Sequence, residues 1–252
     1  MLTEAAVLLA ALNPIVVHDS RESFPLSAVG GGPPAAYGHA VALPDGGAWL
    51  QYWLHYDYQD QDRGIVRSGR HEGDWELVQF RVTARGRPVE AVYAQHSGAE
   101  RCGFGSVTLR DGRPVVFSAH GSHASYLRAG TRDRMWPDPN DEADGRGVVT
   151  APRLVEVSPS SPSWMRRSTP WGDSRGRWYV PPEQDSPLGP FFQPGRWDAA
   201  AFAASAGSCR AACDQVGECD GREKALTALP FLALLGLFGF RRYRTRTRTR
   251  GE

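Results

Sequence analysis

The sequence predicts an all-β or β-rich fold, a single-domain β-sandwich with long ordered loops, to which a C-terminal apolar helix is appended. Three observations predict it. Gly 28, Pro 19 and Trp 8 in 252 residues favour short strands joined by ordered loops over long helices. Runs of apolar and β-branched residues recur at short intervals, separated by Gly- and Pro-containing turns. Several short strands at this spacing argue for a sandwich or related meander and not for βαβ units, and no G-x-G-x-x-G, P-loop or G-x-S-x-G occurs.

The elements follow in order. Ala5–Leu12 is apolar with no basic lead and with Glu4 before it, so residues 1–13 read either as a first helix or as the remnant of an export signal. Ile15–Val17 is a buried strand, and Gly30–Pro34 is a loop. Trp49–Tyr56 has strand composition and runs into a polar loop with Asp57, Asp60 and Asp62. Further strands are expected at Glu76–Val82, Val89–Gln95, Ser106–Arg110 and Val115–Ala119. Their separators, Arg85–Pro88 and Asp111–Pro114, hold the residues that hairpin turns require. Asp138–Gly147 is an acidic loop in which Asp138, Asp141 and Asp144 read as solvated in preference to a second calcium loop, since their spacing is not that of an EF-hand. Beyond Pro152 the chain becomes a loop-rich half whose Trp164, Trp171, Trp178 and Trp197 need a surface to bury against. The sandwich is assigned to residues 14–205, a Cys-containing linker to 206–224, and an apolar helix with an Arg-rich tail to 225–252.

Formal net charge is +1, which gives no reason to expect a nucleic-acid partner. That balance hides a local asymmetry. The stretch Ala225–Phe240 carries no charge and is followed by Arg241, Arg242, Arg244, Arg246, Arg248 and Arg250. As a helix at ~1.5 Å per residue it is slightly shorter than a ~30 Å hydrocarbon core. The expectation is a membrane partner through the C-terminal segment and export to a bacterial cell envelope with an anchor or sorting tag; the alternative is a cytoplasmic protein with a buried terminal helix. Cys102, Cys209, Cys213 and Cys219 fit two disulfides or four thiols, and their spacing is not that of a zinc ribbon.

The chemistry concentrates in His71-Glu72-Gly73-Asp74-Trp75-Glu76. On a strand, period-two geometry puts Asp74 and Glu76 on one face and Trp75 on the other, while Gly73 lets the chain turn so that His71 approaches the carboxylates. Two like charges on one face repel unless something positive lies between them, and a divalent cation is a compact solution. Metal candidates are therefore His71, Asp74, Glu76, His96 and Asp60, for Ca, Mg or Mn with Zn possible. His96 and His123 are the candidate catalytic groups, and Trp75, Arg113, His120, Ser122 and Tyr126 the candidate binding residues.

Asn13-Pro14-Ile15-Val16-Val17-His18 with Glu22 and Pro25, Tyr52-Trp53, the His71–Glu76 hexapeptide, Gln95-His96-Ser97-Gly98, Arg113-Pro114-Val115-Val116, Gly121-Ser122-His123-Ala124-Ser125-Tyr126, Trp171-Gly172 and Ser186-Pro187-Leu188-Gly189-Pro190 together resemble the vacuolar protein sorting-associated protein 62 family. More distantly, His71-x-x-Asp74-Trp75-Glu76 is similar to the heptapeptide of necrosis- and ethylene-inducing-like proteins, with Gly73 in place of that motif's second histidine. That similarity implies a secreted β-sandwich with His71, Asp74 and Glu76 at cation-binding positions and a loop aspartate, Asp57 or Asp60, completing the site. Two functions are open: a cation-dependent binding module recognising a polar headgroup or glycan, and a metal-dependent, phosphoesterase-like hydrolase using the same site.

Overall fold

The computed structural model describes residues 2–61, 70–132, 134, 139–172 and 186–209. The chain is β-rich. It opens with helix α1 (Leu2–Ala11), and its first strand, β1 (Ile15–His18), is buried throughout. Strands β2 (Ala35–Ala42), β3 (Ala48–Gln59), β4 (His71–Val82), β5 (Pro88–Gln95) and β6 (Gly98–Gly103) then form an antiparallel meander. Short strands β7 (Leu109–Arg110), β8 (Arg113–Ser118) and β9 (Ser125–Tyr126) follow, then the hairpin of β10 (Gly130–Arg132) and β11 (Asp141–Ala143). The chain continues through β12 (Val149–Thr150), β13 (Arg153–Glu156), helices α2 (Pro194–Trp197) and α3 (Ala199–Ser205), and β14 (Gly207–Ser208).

One sheet runs β13-β2-β3-β4-β5-β6-β14; the other runs β12-β1-β8-β7 with β9 beside β8. The two pack face to face. Val16 and Val116 from the smaller sheet meet Leu50, Tyr52, Leu54, Tyr56, Val78, Phe80 and Tyr93 from the larger, and Leu9 of α1 closes one side. The second face of the large sheet is buried too. Trp53, Trp75, Leu77 and Val92 point there and are covered by Met165, Phe202, Trp164, Trp171 and Trp197 from the C-terminal half. Two fully buried glutamines on this face, Gln51 and Gln79, donate to the carbonyls of Arg196 and Ala199, which pins α2 and α3 and satisfies groups that would otherwise be costly to bury.

Most expected strands are present, and the differences have local causes. Ser106–Arg110 is a 3₁₀ turn over Phe104–Ser106 and then the two-residue β7, which joins β8 through Asp111-Gly112, both at positive φ as a primed hairpin turn requires. Ala35–Ala42 is a strand although its Ala- and Gly-containing sequence has little β-branching; pairing with β3 decides it. Strand β3 extends to Gln59, which puts Asp57 on a strand rather than in a loop.

Cys102 and Cys209 form a disulfide that fastens β14 to the edge strand β6. Cys213, Cys219, Asp62, Asp138 and Trp178 lie outside the described residues, as does the expected apolar helix and Arg-rich tail at 225–252. Among the described residues no helix is long and apolar enough to cross a membrane.

Candidate functional site: the polar end of the sandwich

The C-terminal ends of β3 and β5 and the N-terminal end of β4 share one end of the sandwich, because β3 and β5 both run antiparallel to β4. Period two holds across Asp74–Phe80, beyond the positive φ of Gly73. Asp74 and Glu76 lie in line with Val78 and Phe80, which face the space between the sheets, whereas Trp75 and Leu77 face the tryptophan layer. Both faces are interior, so the two carboxylates are buried and not displayed on a surface.

Asp74 meets an imidazole from the small-sheet side. The His123 Nδ1–H donates to Asp74 Oδ2 at 2.9 Å, and its Nε2 stands 3.6 Å from Glu22 Oε1. The ring has no exposure and lies flat on Tyr56, with centroids 3.9 Å apart and an interplanar angle of 4°. Burial opposes a charge on His123, but the two flanking carboxylates outweigh it and raise its pKa to about 9. Glu22 shows the reverse balance: burial pushes it up, while His123 and the backbone N–H groups of Gly121 and Phe24 bring it down to about 2. Asp74 is likewise held below its ordinary value, despite burial, by His123.

Glu76 lies beside this triad in the opposite condition. Burial drives its pKa well above the carboxylate range; Arg196 pulls the other way without winning. Its Oε2 is buried with no hydrogen-bond partner among the described residues. Arg196 reaches over from α2, donating to the carbonyls of Trp75 and His96.

A second buried carboxylate organises the rim. Asp141, 1% exposed, accepts from His96 Nε2 (2.6 Å), Tyr126 OH (2.6 Å), Ser122 Oγ (2.8 Å) and Gln61 Nε2 (2.9 Å). Burial opposes its ionisation, but the His96 bond keeps it below its ordinary value. It is a hub and not the solvated loop residue that its acidic neighbourhood suggests. His96 opens the β5–β6 turn at φ +53° and His123 sits at φ +56°; both conformations are unfavourable for residues other than glycine, and each is held by a carboxylate.

The expected site residues are thus only partly brought together. His71 is buried beside Gly73, its Nδ1–H donating to the Gly73 carbonyl. Asp60 stands against Gly121, where a side chain at that φ +68° position would strike its carboxylate. No three of His71, Asp74, Glu76, His96 and Asp60 place ligand atoms within 4.8 Å of one another; among the described residues that spacing occurs only for Glu100, Cys102 and Cys209, whose sulfurs are bonded to each other. Trp75 is buried on the opposite face against His55, Tyr37, Trp164 and Trp171, and is not a ligand surface. Arg113 is also committed elsewhere, donating to the carbonyls of Asn13 and Pro14. His120 is half-buried, its backbone N–H on Glu142. Ser122 and Tyr126 belong to the Asp141 hub.

Comparison with known proteins matches one stretch of the chain to a family model. Residues 43–134 match the family of vacuolar protein sorting-associated protein 62. This vacuolar protein sorting-associated protein 62-like segment contains Asp74, Glu76, His96, Ser122 and His123, whereas Glu22, Asp141 and Arg196, which bind them, lie outside it. Solved structures that the chain matches include NLPPya in complex with glucosamine (14% identity, TM-score 0.40, 60% of this chain and 73% of that one) and a toxin fold for microbial attack and plant defense (16%, 0.39, 60% and 74%). Another is NLPPya in complex with mannosamine, at 15% identity, TM-score 0.39, and 60% and 73% coverage. No curated protein matches the chain.

Proposed function

We propose that the chain is a binding module whose polar sandwich end holds a divalent cation and presents it to a polar headgroup or glycan. The observation that carries this reading is Glu76: a buried carboxyl with an unpartnered oxygen, on the same face as Asp74. An unsatisfied buried acceptor is expensive, and a hard cation with oxygen ligands relieves it. Glu76 and Asp74 would hold the ion, with His71 contributing the ring nitrogen that Gly73 does not occupy. Because these ligand atoms do not form a closed cluster, water or ligand oxygens would complete the shell, as an ion that meets a ligand requires and a structural ion does not. The cation supplies a Lewis-acidic contact for hydroxyl or phosphate oxygens. The chain supplies the buried counter-charge, with His123 and Glu22 fixing Asp74. The amino sugars named above are bound by NLPPya and assign no ligand to this chain. The Cys102–Cys209 disulfide supports an oxidising compartment, in keeping with export.

A hydrolase is the second reading, and His96 favours it: its ring is 16% exposed at the rim and backed by buried Asp141, the arrangement of an imidazole base. His123 does not share that role, since its ring is enclosed. Calorimetric titration of Ca²⁺ and Mn²⁺ into the parent and Glu76→Gln, with a phosphoesterase screen on both, tests the two together. The binding reading expects a cation site weakened at least about tenfold by Glu76→Gln, with no turnover. Equal cation affinity in the two proteins, or no binding to the parent, rejects it; cation-dependent turnover replaces it with the hydrolase.

A further inference from the structure

At the opposite end of the large sheet, beyond the Ala48 and Val82 ends of β3 and β4, lies a cleft of about 510 Å³ between the sheet and α3. Cross-strand register builds its floor. Trp49 pairs with Arg81, Arg81 with Glu90, and Arg101 stands one step along on β6 opposite Val92, so their side chains emerge on one face. Arg81 donates to Asp45, and Arg101 donates to Glu90 at 2.8 Å and, from its other terminal nitrogen, to the Ala203 carbonyl at 3.4 Å. Both arginines remain partly exposed, at 30% and 41% of their side chains, and a guanidinium has more N–H donors than one carboxylate uses. The opposite wall is uncharged, made of alanines of α3.

A second hollow of about 480 Å³ shares Asp45 with the first and is lined by Arg85 and Arg87 at the β4–β5 turn. These two exposed arginines have no carboxylate partner among the described residues. Across the two hollows four guanidiniums face two carboxylates, in concave ground with apolar walls.

The geometry points to this double cleft as a second ligand site that takes an acidic saccharide, a chain of sugar rings bearing carboxylates. Ring C–H faces would lie along the alanine wall and the Leu43–Pro44 side, and successive carboxylates would meet Arg101 and Arg81 in one hollow and Arg85 and Arg87 in the next. Neutral sugars would leave Arg85 and Arg87 unused, and an acidic peptide would lack the repeating ring faces. The site is separate from the Glu76 end and does not depend on a cation there.

The test is calorimetric titration of tetragalacturonate into the parent, Arg85→Gln/Arg87→Gln and Arg101→Gln, with cellotetraose and tetraglutamate as comparison ligands. Melting temperature reports whether each variant keeps its fold. The proposal expects saturable binding of tetragalacturonate that weakens with added salt and falls about tenfold or more in each folded variant. No saturable binding to the parent, unchanged affinity in both variants, or equal affinity for cellotetraose or tetraglutamate overturns it. A variant that fails to melt cooperatively is replaced by Arg85→Gln alone, whose exposed side chain supports no part of the fold.

Discussion

Asp141→Ala is the sharpest test of the polar end. The carboxylate accepts four side-chain hydrogen bonds, two of them from the buried hydroxyls of Ser122 and Tyr126. Truncation leaves those two donors unsatisfied at roughly 1–3 kcal/mol each, and the His96 and Gln61 bonds, nearer solvent, add less. The expected cost is about 4–6 kcal/mol, a large share of the ~5–15 kcal/mol by which a domain is stable. At ~2–4 °C per kcal/mol for a chain of this size, the melting temperature should drop by about 10–20 °C. Asp141→Asn keeps the shape and part of the acceptor set, so its cost should be intermediate. Urea unfolding followed by tryptophan fluorescence measures all three proteins, and a double-mutant cycle with Tyr126→Phe isolates one of the bonds. A cost under ~1 kcal/mol for Asp141→Ala, as for an exposed loop aspartate, would refute the reasoning.

Acid should unfold the protein partly through two buried histidines. Burial holds the pKa of His18 and of His55 down to about 4, against an ordinary 6.5. A histidine depressed in the folded state binds its proton more readily when unfolded, so the stability these two contribute is present above pH 6.5 and is lost as pH falls towards 4. Melting temperature measured from pH 7 to pH 4 should fall across that window, and the fall should be shallower in His18→Asn; an identical slope in both proteins counts against the assignment. Gly73→Ala should destabilise by more than the ~1–2 kcal/mol of a left-handed backbone alone. The residue sits at φ +62°, and an added Cβ would lie 2.8 Å from Cβ of Trp171. Equilibrium unfolding checks it, and a cost below ~1 kcal/mol would mean that the two segments do not touch.

What the sequence made legible was local. The β-branched run at Ile15, the alternation through Asp74-Trp75-Glu76 and the Asp111-Gly112 turn each carry their structure within a few residues. What stayed hidden was set by distant partners. Nothing near Asp141 announces that β11 pairs with β10 and brings the carboxylate under His96; a Gly-containing acidic stretch reads locally as solvated. Glu22 was visible only inside a resemblance, and its role depends on a ring a hundred residues further along the chain. The placement of Trp75 was half legible: alternation separated it from the carboxylates, but only the layer of Trp164 and Trp171 shows that its face is a second core. That layer also joins two motifs far apart in sequence, since Gly73 meets Trp171 and Gly172 meets Glu72. The glycines allow the outer wrap to press on the strand between His71 and Asp74.

The polar end is poorly explained as a stability device. Replacing a buried ion pair with well-packed apolar side chains is often neutral or stabilising, because desolvation of the charges offsets their attraction. Here the chain buries an imidazolium between two carboxylates, adds a third carboxyl with an unpartnered oxygen, and holds two histidines in left-handed backbone conformations nearby. The unpartnered carboxyl oxygen and the two left-handed histidines cost free energy, and an apolar sandwich end would avoid them. Their concentration at one end of an otherwise apolar interlayer core is the pattern expected where a site has been built at the expense of the fold. It also separates the two halves of the problem. The Val, Leu and aromatic interior can account for the sandwich, so measuring stability and the proposed cation binding separately in Glu76 variants is what reveals what the polar end is for.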